Sequence, residues 1–323
     1  MVTPCSPPIG WKRQQRAGAG TAMNNLIDGP YRAIAAAAIL SAVMAVPAAA
    51  GRAVPNVSDA ASHDAVVADL ISHRAVFDMK LTDSKASSSI AGLNGRMVFE
   101  TIGSTCDGFT INFRFVTQVE DSQGNSRLTD MRTTTFEDAS GERFEFLTQT
   151  YIDEKLVEES KGSAVRDGET TTVRLDKPEK KTFTIGKRIL FPTQHLVAML
   201  SAARSGEAFL PANIYDGSET GEKIFPTATT IGKRIDGPDT LDAKAADADM
   251  SKLPRWPVTV GYFEPVSTGG EALPTYEMSF LLYGNGISRD VKIDYGDFSV
   301  AGKLVNLEIH DVPGCSADKA GAQ

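Results

Sequence analysis

Strict alternation of apolar and polar residues is the feature that most limits how this chain can fold. In the clearest run the apolar residues stand at every second position, as Phe109, Ile111, Phe113 and Phe115. A side-chain period of two places all of them on one face of an extended segment, and the polar residues between them on the other. The run therefore predicts a β-strand with one face in the protein interior and one in water.

The same alternation recurs along most of the chain. It is found in residues 75–81, 97–99, 127–137, 143–151, 154–166, 170–175, 276–282, 291–295 and 305–309. Clusters of turn residues separate these runs, and a tight Asn-Gly pair at 285–286 is a strong hairpin signal. Many threonines and charged residues indicate a sheet with one solvated face. We predict a mainly β fold of antiparallel strands.

One segment has helical spacing instead. Its apolar stripe consists of Leu196, Val197, Met199, Leu200 and Ala203. Pro192 or Thr193 is predicted to begin this helix, and Gly206 to end it. We expect one prominent amphipathic helix, which in a mainly β chain usually plugs or covers the sheet.

The first fifty residues have the pattern of an export signal. Residues 33–46 are apolar or small, follow Arg32, and lead into a small-residue stretch ending at Ala50. This pattern predicts a secretory signal peptide cleaved near Ala50, a periplasmic mature protein, and no stable membrane insertion after cleavage. Met23 is an alternative start, and an uncleaved membrane anchor is the alternative interpretation.

Beyond the signal, one domain accounts for the remaining pattern. We assign residues 1–50 to the leader and signal peptide, 51–64 to a flexible N-terminus, 65–316 to a single β domain, and 317–323 to a flexible C-terminus. The chain of 323 residues has a net charge of −8. This acidity argues against a nucleic-acid partner, which requires a clustered basic face.

Two cysteines remain after cleavage, since Cys5 lies in the leader. An even pair in an exported chain predicts one disulfide, between Cys106 and Cys315. Closing a loop of this length contributes at most roughly 5 kcal/mol in the chain-entropy model. Two independent buried thiols are the alternative.

No cofactor or metal is expected. The histidines lack zinc spacing. Asp242, Asp247 and Asp249 stand in a polar connector without the turn glycine and bidentate glutamate of a calcium loop.

Signs of catalysis are few. There is no Gly-x-Ser-x-Gly motif, although distant residues could still assemble a Ser-His-acid site with His195 or His73 as the base. A packing or capping role is favoured for His195. Glu158 and Glu159 point to opposite faces of a predicted strand, so they cannot act as an acid–base pair, and we interpret them as a solvated edge.

The chain resembles the cell envelope integrity protein EipB family over about residues 65–316. The motifs that carry the resemblance are residues 72–78 (SHRAVFD), 95–100 (GRMVFE), 106–109 (CDGF), 190–196 (LFPTQHL), 215–218 (YDGS), 256–258 (WPV) and 283–286 (YGNG), together with Cys315. The resemblance implies a soluble periplasmic protein folded as an antiparallel β spiral, an open barrel-like sheet with a cavity inside. It also implies a disulfide between Cys106 and Cys315, and it supplies no catalytic residue that could be assigned to a position of this chain.

Two functions follow as expectations. The first is a non-enzymatic scaffold or carrier that supports envelope integrity under stress, with lipid or peptide in the cavity. For this function the family resemblance implies an envelope protein with tetratricopeptide repeats as partner. The second, less favoured, is a periplasmic hydrolase acting on peptidoglycan or lipid.

Overall fold

The computed structural model describes residues 66–67, 69–186, 188–239, 250–265 and 273–311. These residues form a 15-stranded sheet in which every neighbouring pair is antiparallel except one. The predicted mainly β, antiparallel fold is therefore confirmed.

The first half of the sheet is a run of eight strands, each paired with its neighbour in sequence. The strands are β1 (His73–Ser84), β2 (Ile90–Ser104), β3 (Gly108–Asp121), β4 (Ser126–Glu137), β5 (Arg143–Ile152), β6 (Lys155–Asp167), β7 (Thr170–Lys177) and β8 (Lys181–Gly186). Most of them coincide with the alternating runs of the sequence.

The second half follows the helix α1 (Pro192–Ser205). It contains β9 (Ile189–Leu190), β10 (Phe209–Ile214), β11 (Phe225–Ile231), β12 (Arg255–Tyr262), β13 (Tyr276–Tyr283), β14 (Ser288–Asp294) and β15 (Phe298–Ile309), with a short 3-10 helix, Met250–Lys252, before β12. β9 pairs with β10 in parallel, and the rest are antiparallel.

The two halves join where β1 pairs with β15, from His73 opposite Ile309 to Ser84 opposite Phe298. The outermost strands of the sheet are then β8 and β9. β8 ends at Gly186 and β9 begins at Ile189, so three consecutive Cα–Cα steps, at most about 11 Å, separate them. Such a short connection brings the two edges of the sheet together, and the sheet curls into a nearly closed, barrel-like form.

Helix α1 lies inside this curled sheet and contacts both halves. Its apolar residues pack against Trp256, Val258 and Val260 on the inner face of β12. Phe191, which precedes the helix, packs in a second cluster with Phe144 of β5, their rings 4.7 Å apart. The predicted role of the helix as an interior plug agrees with these contacts.

The ends of α1 match the sequence signals. Pro192 is its first residue, where a missing N–H costs no hydrogen bond. Gly206 follows the last turn with φ of 80°, and the N–H of Glu207 bonds to the carbonyl of Ala202 at 2.9 Å. This left-handed position favours glycine and ends the helix.

A buried carboxylate fixes the start of α1. Glu137, the last residue of β4, is only 3% exposed and accepts the backbone N–H groups of Thr193 at 2.5 Å and Gln194 at 3.3 Å. These N–H groups have no partner within the helix, so Glu137 satisfies them. Burial raises the pKa of Glu137 to about 7, outweighing the hydrogen bonds that favour its charged form.

Arg166 of β6 ties the same region to the sheet edge. Its guanidinium donates to the carbonyl oxygens of Gly141 and Ile189, both at 2.9 Å, and lies 4.9 Å from the centre of the Phe191 ring. One side chain thereby links the first half of the sheet to β9 and to the start of the helix.

Cys106 lies in the turn that connects β2 to β3, whereas Cys315 lies outside the described residues. The described end of the chain reaches the same region, since the His310 N–H bonds to the Ser72 carbonyl at 2.8 Å and its ring contacts Glu100 of β2 at 3.2 Å. Five further residues can span at most about 17 Å. The pairing of the two cysteines stays a prediction.

We predict that the purified mature protein takes up no alkylating reagent without a reductant, and labels at Cys106 and Cys315 after reduction. The mass of the intact protein measures this. The variant Cys106→Ser is expected to unfold at lower denaturant concentration, by up to about 5 kcal/mol, because loop closure no longer restricts the unfolded chain. Two labels without reductant would contradict the disulfide.

The raised pKa of Glu137 predicts a pH-dependent stability. A buried acid that binds its proton more tightly in the folded state stabilises below its unfolded pKa of about 4.5, and this contribution is lost as pH rises through about 7. The difference between the folded and unfolded pKa of Glu137 corresponds to about 3 kcal/mol in the free energy of unfolding. Glu137→Gln cannot titrate, so its free energy of unfolding should fall less than that of the wild type between pH 4.5 and 8.

The matched control for this experiment is Glu120→Gln, an exposed carboxylate on β3. It should retain the pH dependence of the wild type in urea titrations. Equal slopes for the wild type and Glu137→Gln would show that Glu137 titrates alike in both states.

Candidate functional site

The segment 215–224, between β10 and β11, runs along the inner face of β5 to β7; we call it the inner loop. Tyr215 is fully buried, and its hydroxyl donates to the Gly221 carbonyl at 2.6 Å. Ser160 of β6 donates to the Gly217 carbonyl at 2.7 Å. Gly217 has φ of 69°, and a Cβ there would lie 2.2 Å from the Phe146 ring. Only glycine therefore allows the loop to lie this close to the sheet.

Two carboxylates in or near the inner loop, Asp216 and Glu158, have too few partners to offset the cost of burying their charge. Asp216 accepts the backbone N–H of Ser218 at 2.9 Å, yet burial raises its pKa. Glu158 of β6 is half-buried on the same face as Ser160, and its pKa is raised by burial first and by Glu219 second. Glu158 forms no hydrogen bond or ion pair with any described residue, so its charge is left without a partner there.

Lys223 is the cation of the inner loop, and it forms ion pairs with two glutamates. Its ammonium contacts Glu219 at 2.8 Å and Glu264 at 2.6 Å, and lies 4.7 Å from the centre of the Phe225 ring. Burial lowers the pKa of Lys223, but the two carboxylates outweigh it and the pKa is raised. One ammonium is thus held by two acids and one aromatic face.

Opposite the inner loop, aromatic rings form a row across the second half of the sheet. The Tyr262 and Tyr276 rings stack at 4.5 Å on paired positions of β12 and β13. Tyr295 follows at 6.0 Å from Tyr276 and stacks on Phe298 at 4.8 Å. We call these four residues the aromatic row.

The three tyrosines of the row are desolvated, although each is partly accessible. Each is partly accessible to solvent, yet burial raises the pKa of Tyr295 to about 12 and those of Tyr262 and Tyr276 still further. A side chain on the outer surface would be accessible without being desolvated. Tyr262 packs against the core cluster that contains Val258 and Val260, so this end of the row lies on the inner face of the sheet.

Asp216 lies near the aromatic row. Its charge contributes to raising the pKa of both Tyr262 and Tyr276, which places the three groups within electrostatic range. None of the three tyrosine hydroxyls hydrogen-bonds to a described residue. The carboxylate and the hydroxyls are therefore near each other without direct contact, and unfilled hydrogen-bonding capacity remains between them.

The interpretation of Glu158 and Glu159 as a solvated edge was wrong. β6 lies between β5 and β7 rather than at an edge, and Glu158 points to the interior. Glu159 accepts a hydrogen bond from Gln149 at 2.8 Å on the neighbouring strand. The sequence pattern was correct in placing the two on opposite faces but could not tell which face was inner.

The two histidines considered as bases are both buried. His73 is 2% exposed, and its Nδ1 bonds to the Ile71 carbonyl oxygen at 2.9 Å. Burial lowers its pKa. It lines a cavity of about 10 Å³ together with Phe99 and Thr193, which is room for about one water molecule.

His195 is on the buried face of α1 and 4% exposed. Burial lowers its pKa to about 4, and its Nε2 has no hydrogen-bond partner among the residues that the structure describes. Within the part of the chain that the structure describes, neither His195 nor His73 is hydrogen-bonded to a serine or a carboxylate. The three elements of a Ser-His-acid site are not brought together among these residues.

Neither a metal-ligand group nor a membrane-spanning helix is found among the described residues. These residues contain no group of three or more acidic, histidine or cysteine side chains able to hold a metal. Asp242, Asp247 and Asp249 lie outside them. Over the same residues, no helix combines the length and apolarity needed to cross a membrane.

Comparison with known proteins agrees with the fold and with the motifs. The EipB-like family model matches residues 64–311. The cell envelope integrity protein EipB of Brucella abortus (strain 2308) is 41% identical over 251 residues, covering 76% of this chain and 88% of that protein. A crystal structure from Brucella abortus, described as a beta-barrel-like protein of the domain of unknown function DUF1849, superposes with a TM-score of 0.69 at 41% identity, covering 75% of this chain and 99% of that one. The chain belongs to the EipB-like family.

Proposed function

We propose that this protein is exported to the periplasm and supports cell envelope integrity without catalysis, by binding a ligand or a partner protein. The observation that carries the proposal is the nearly closed, barrel-like sheet, which encloses an interior and leaves the tyrosines of the aromatic row partly accessible. Barrel-like sheets that keep such a space commonly hold one small ligand. The name of the Brucella relative supports the envelope role.

Export is the part of the proposal that the leader sequence supports. A cation, a short apolar run and small residues up to Ala50 are typical of a cleaved signal. Lipid or peptide is the proposed content of the interior, and an envelope protein with tetratricopeptide repeats is the proposed partner.

Protein isolated from its own periplasm is expected to carry a bound lipid or peptide, or to form a stable complex with one envelope protein. Native mass spectrometry measures the first, and crosslinking in intact periplasm the second. The matched control is protein refolded from denaturant, which should have lost any bound molecule. Finding neither a bound molecule nor a crosslinked partner would contradict the binding function.

The competing function is an envelope hydrolase with His73 or His195 as base, motivated by compartment and by these two histidines. Under the binding proposal, His73→Ala and His195→Ala, each expressed in a deletion strain, restore envelope resistance as far as their stability permits. Catalysis instead predicts loss of resistance without loss of stability. Urea titration of each purified variant separates the two results.

A further inference from the structure

The sheet has one long strand edge that no described backbone covers. β8 is the last strand of the hydrogen-bonded series and pairs only with β7, along its whole length and without a register shift. Among the described residues, the backbone of β8 forms no hydrogen bond on its other side. At the opposite end of the sheet, β9 has only 2 residues, against 6 in β8. About half of the backbone N–H and C=O groups of β8 therefore point to an open edge.

Natural sheets usually protect such an edge, and β8 has few of the usual devices. It contains neither a proline nor a bulge, whereas β10, whose outer edge is also partly open, contains Pro211. Its one lysine, Lys181, stands at the first residue. The middle of the strand carries no charge, and its inward side chains, Phe183 and Ile185, pack in the cluster around Phe144. β8 is thus a regular strand of β-forming residues with a free edge.

The surface along this edge has an excess of positive charge, although the chain as a whole has a net charge of −8. Lys177 and Lys181 are paired with glutamates of neighbouring segments. Three further cations close to β8 form no ion pair with any described residue: Arg174, Lys180 and Arg188. Unpaired positive charge is therefore concentrated beside the one long open edge.

The three unpaired cations are spread along the strand. Arg174 of β7 lies directly opposite Thr182 of β8. Lys180 immediately precedes β8, and Arg188 follows its last residue by two positions. An extended segment that lies beside β8 would pass all three. Its backbone would bond to the open N–H and C=O groups, and acidic side chains on it would pair with the cations.

We propose that β8 is a docking edge, to which an extended, acidic segment of a partner protein adds as a further strand of the sheet. The inference deepens the proposed function, on which it rests, by naming the surface that binds a partner protein and the kind of segment it binds. A second copy of this chain fits less well, because it would bring the same unpaired cations to the same edge. An anionic membrane fits less well too, because the chain as a whole is acidic and a membrane offers no peptide backbone.

Titration of the full mature protein with the peptide acetyl-Asp-Thr-Val-Glu-Val-Thr-Asp-amide tests the charge of the segment. The matched neutral peptide has Asn and Gln in place of the three acidic residues. The acidic peptide should bind about tenfold more tightly, because three exposed ion pairs of ordinary strength together give roughly this factor. Equal binding of the two peptides, or no binding of the acidic peptide, would overturn the proposed occupant.

Hydrogen exchange separates strand addition from binding by charge alone. When the acidic peptide is bound, the amides of β8 that point to the open edge should exchange at least about tenfold more slowly, because they become hydrogen-bonded. A third peptide of the same sequence with N-methylated central amides keeps the charges and should bind about tenfold more weakly, because it lacks the main-chain donors. Unchanged exchange in β8, or equal binding of the N-methylated peptide, would contradict strand addition.

The double variant Arg174→Gln/Lys180→Gln should bind the acidic peptide no more tightly than the neutral one. Its matched control, Arg74→Gln/Lys80→Gln, removes one arginine and one lysine from β1 and should bind like the wild type. If the first double variant does not fold, Lys180→Gln alone, which lies outside any strand, gives the same test with a smaller loss. Wild-type affinity in a folded variant would show that these cations do not recognise the peptide.

A photo-crosslinking residue in place of Thr184 tests the docking edge in intact periplasm, with the same replacement at Thr134, exposed on β4, as the control. We expect crosslinks from position 184 alone, to an acidic segment of another protein that mass spectrometry identifies. Crosslinks from there to lipid or to a second copy of this chain would overturn the inference. The absence of any crosslink from position 184 would overturn it as well, and a partner crosslinked at other positions would then leave the partner-binding function standing.

Discussion

The structure depends on the closure of one long sheet upon itself. Fifteen strands form a single hydrogen-bonded series, and such a series, twisted as all sheets are, coils rather than stays flat. The short connection from Gly186 to Ile189 brings its two ends together. Once the sheet is curled, the inner faces of its strands form a common interior. A polar side chain buried there costs free energy unless it forms a hydrogen bond.

Helix α1 and the inner loop divide that interior into two regions of different character. The helix fills its region with apolar side chains and has its exposed backbone N–H groups satisfied by Glu137. The inner loop instead brings Asp216 and Lys223 inside, near tyrosines whose hydroxyls bond to none of the residues that the structure describes. The packed region stabilises the fold, and the polar region retains unused hydrogen-bonding capacity.

The strands and the helix were largely predictable because their apolar residues follow a regular period. The runs at Phe109–Phe115 and at 276–282 gave β3 and β13, and the stripe from Leu196 to Ala203 gave α1. The short strands β8 and β9 and the longer β10, β11 and β12 were not predicted, and the last three share one feature. Each contains a proline, at 211, 226 and 257, which lowers the expectation of a strand.

The candidate site was much less predictable. Tyr262, Tyr276 and Tyr295 are far apart in sequence and become neighbours only through cross-strand register, which alternation alone does not determine. No sequence signal distinguishes Glu137 from other glutamates at strand ends. Its role follows only from the folded structure, which places the start of α1 against it. The turn motif at 215–218 is one of the motifs shared with the EipB family. Its Gly217 is the residue that allows the inner loop to lie close to Phe146.

The pairing of β1 with β15 separates local from distant steps in the assembly of the molecule. Nearly all other strand pairs join neighbours in sequence and can form before the chain is complete. β1 is the first strand of the sheet in sequence, and one of its edges pairs with the last strand, β15. Contacts between such distant segments form slowly. Until β15 is in place, that side of β1 is an open edge, at which an incompletely folded chain can pair with other chains.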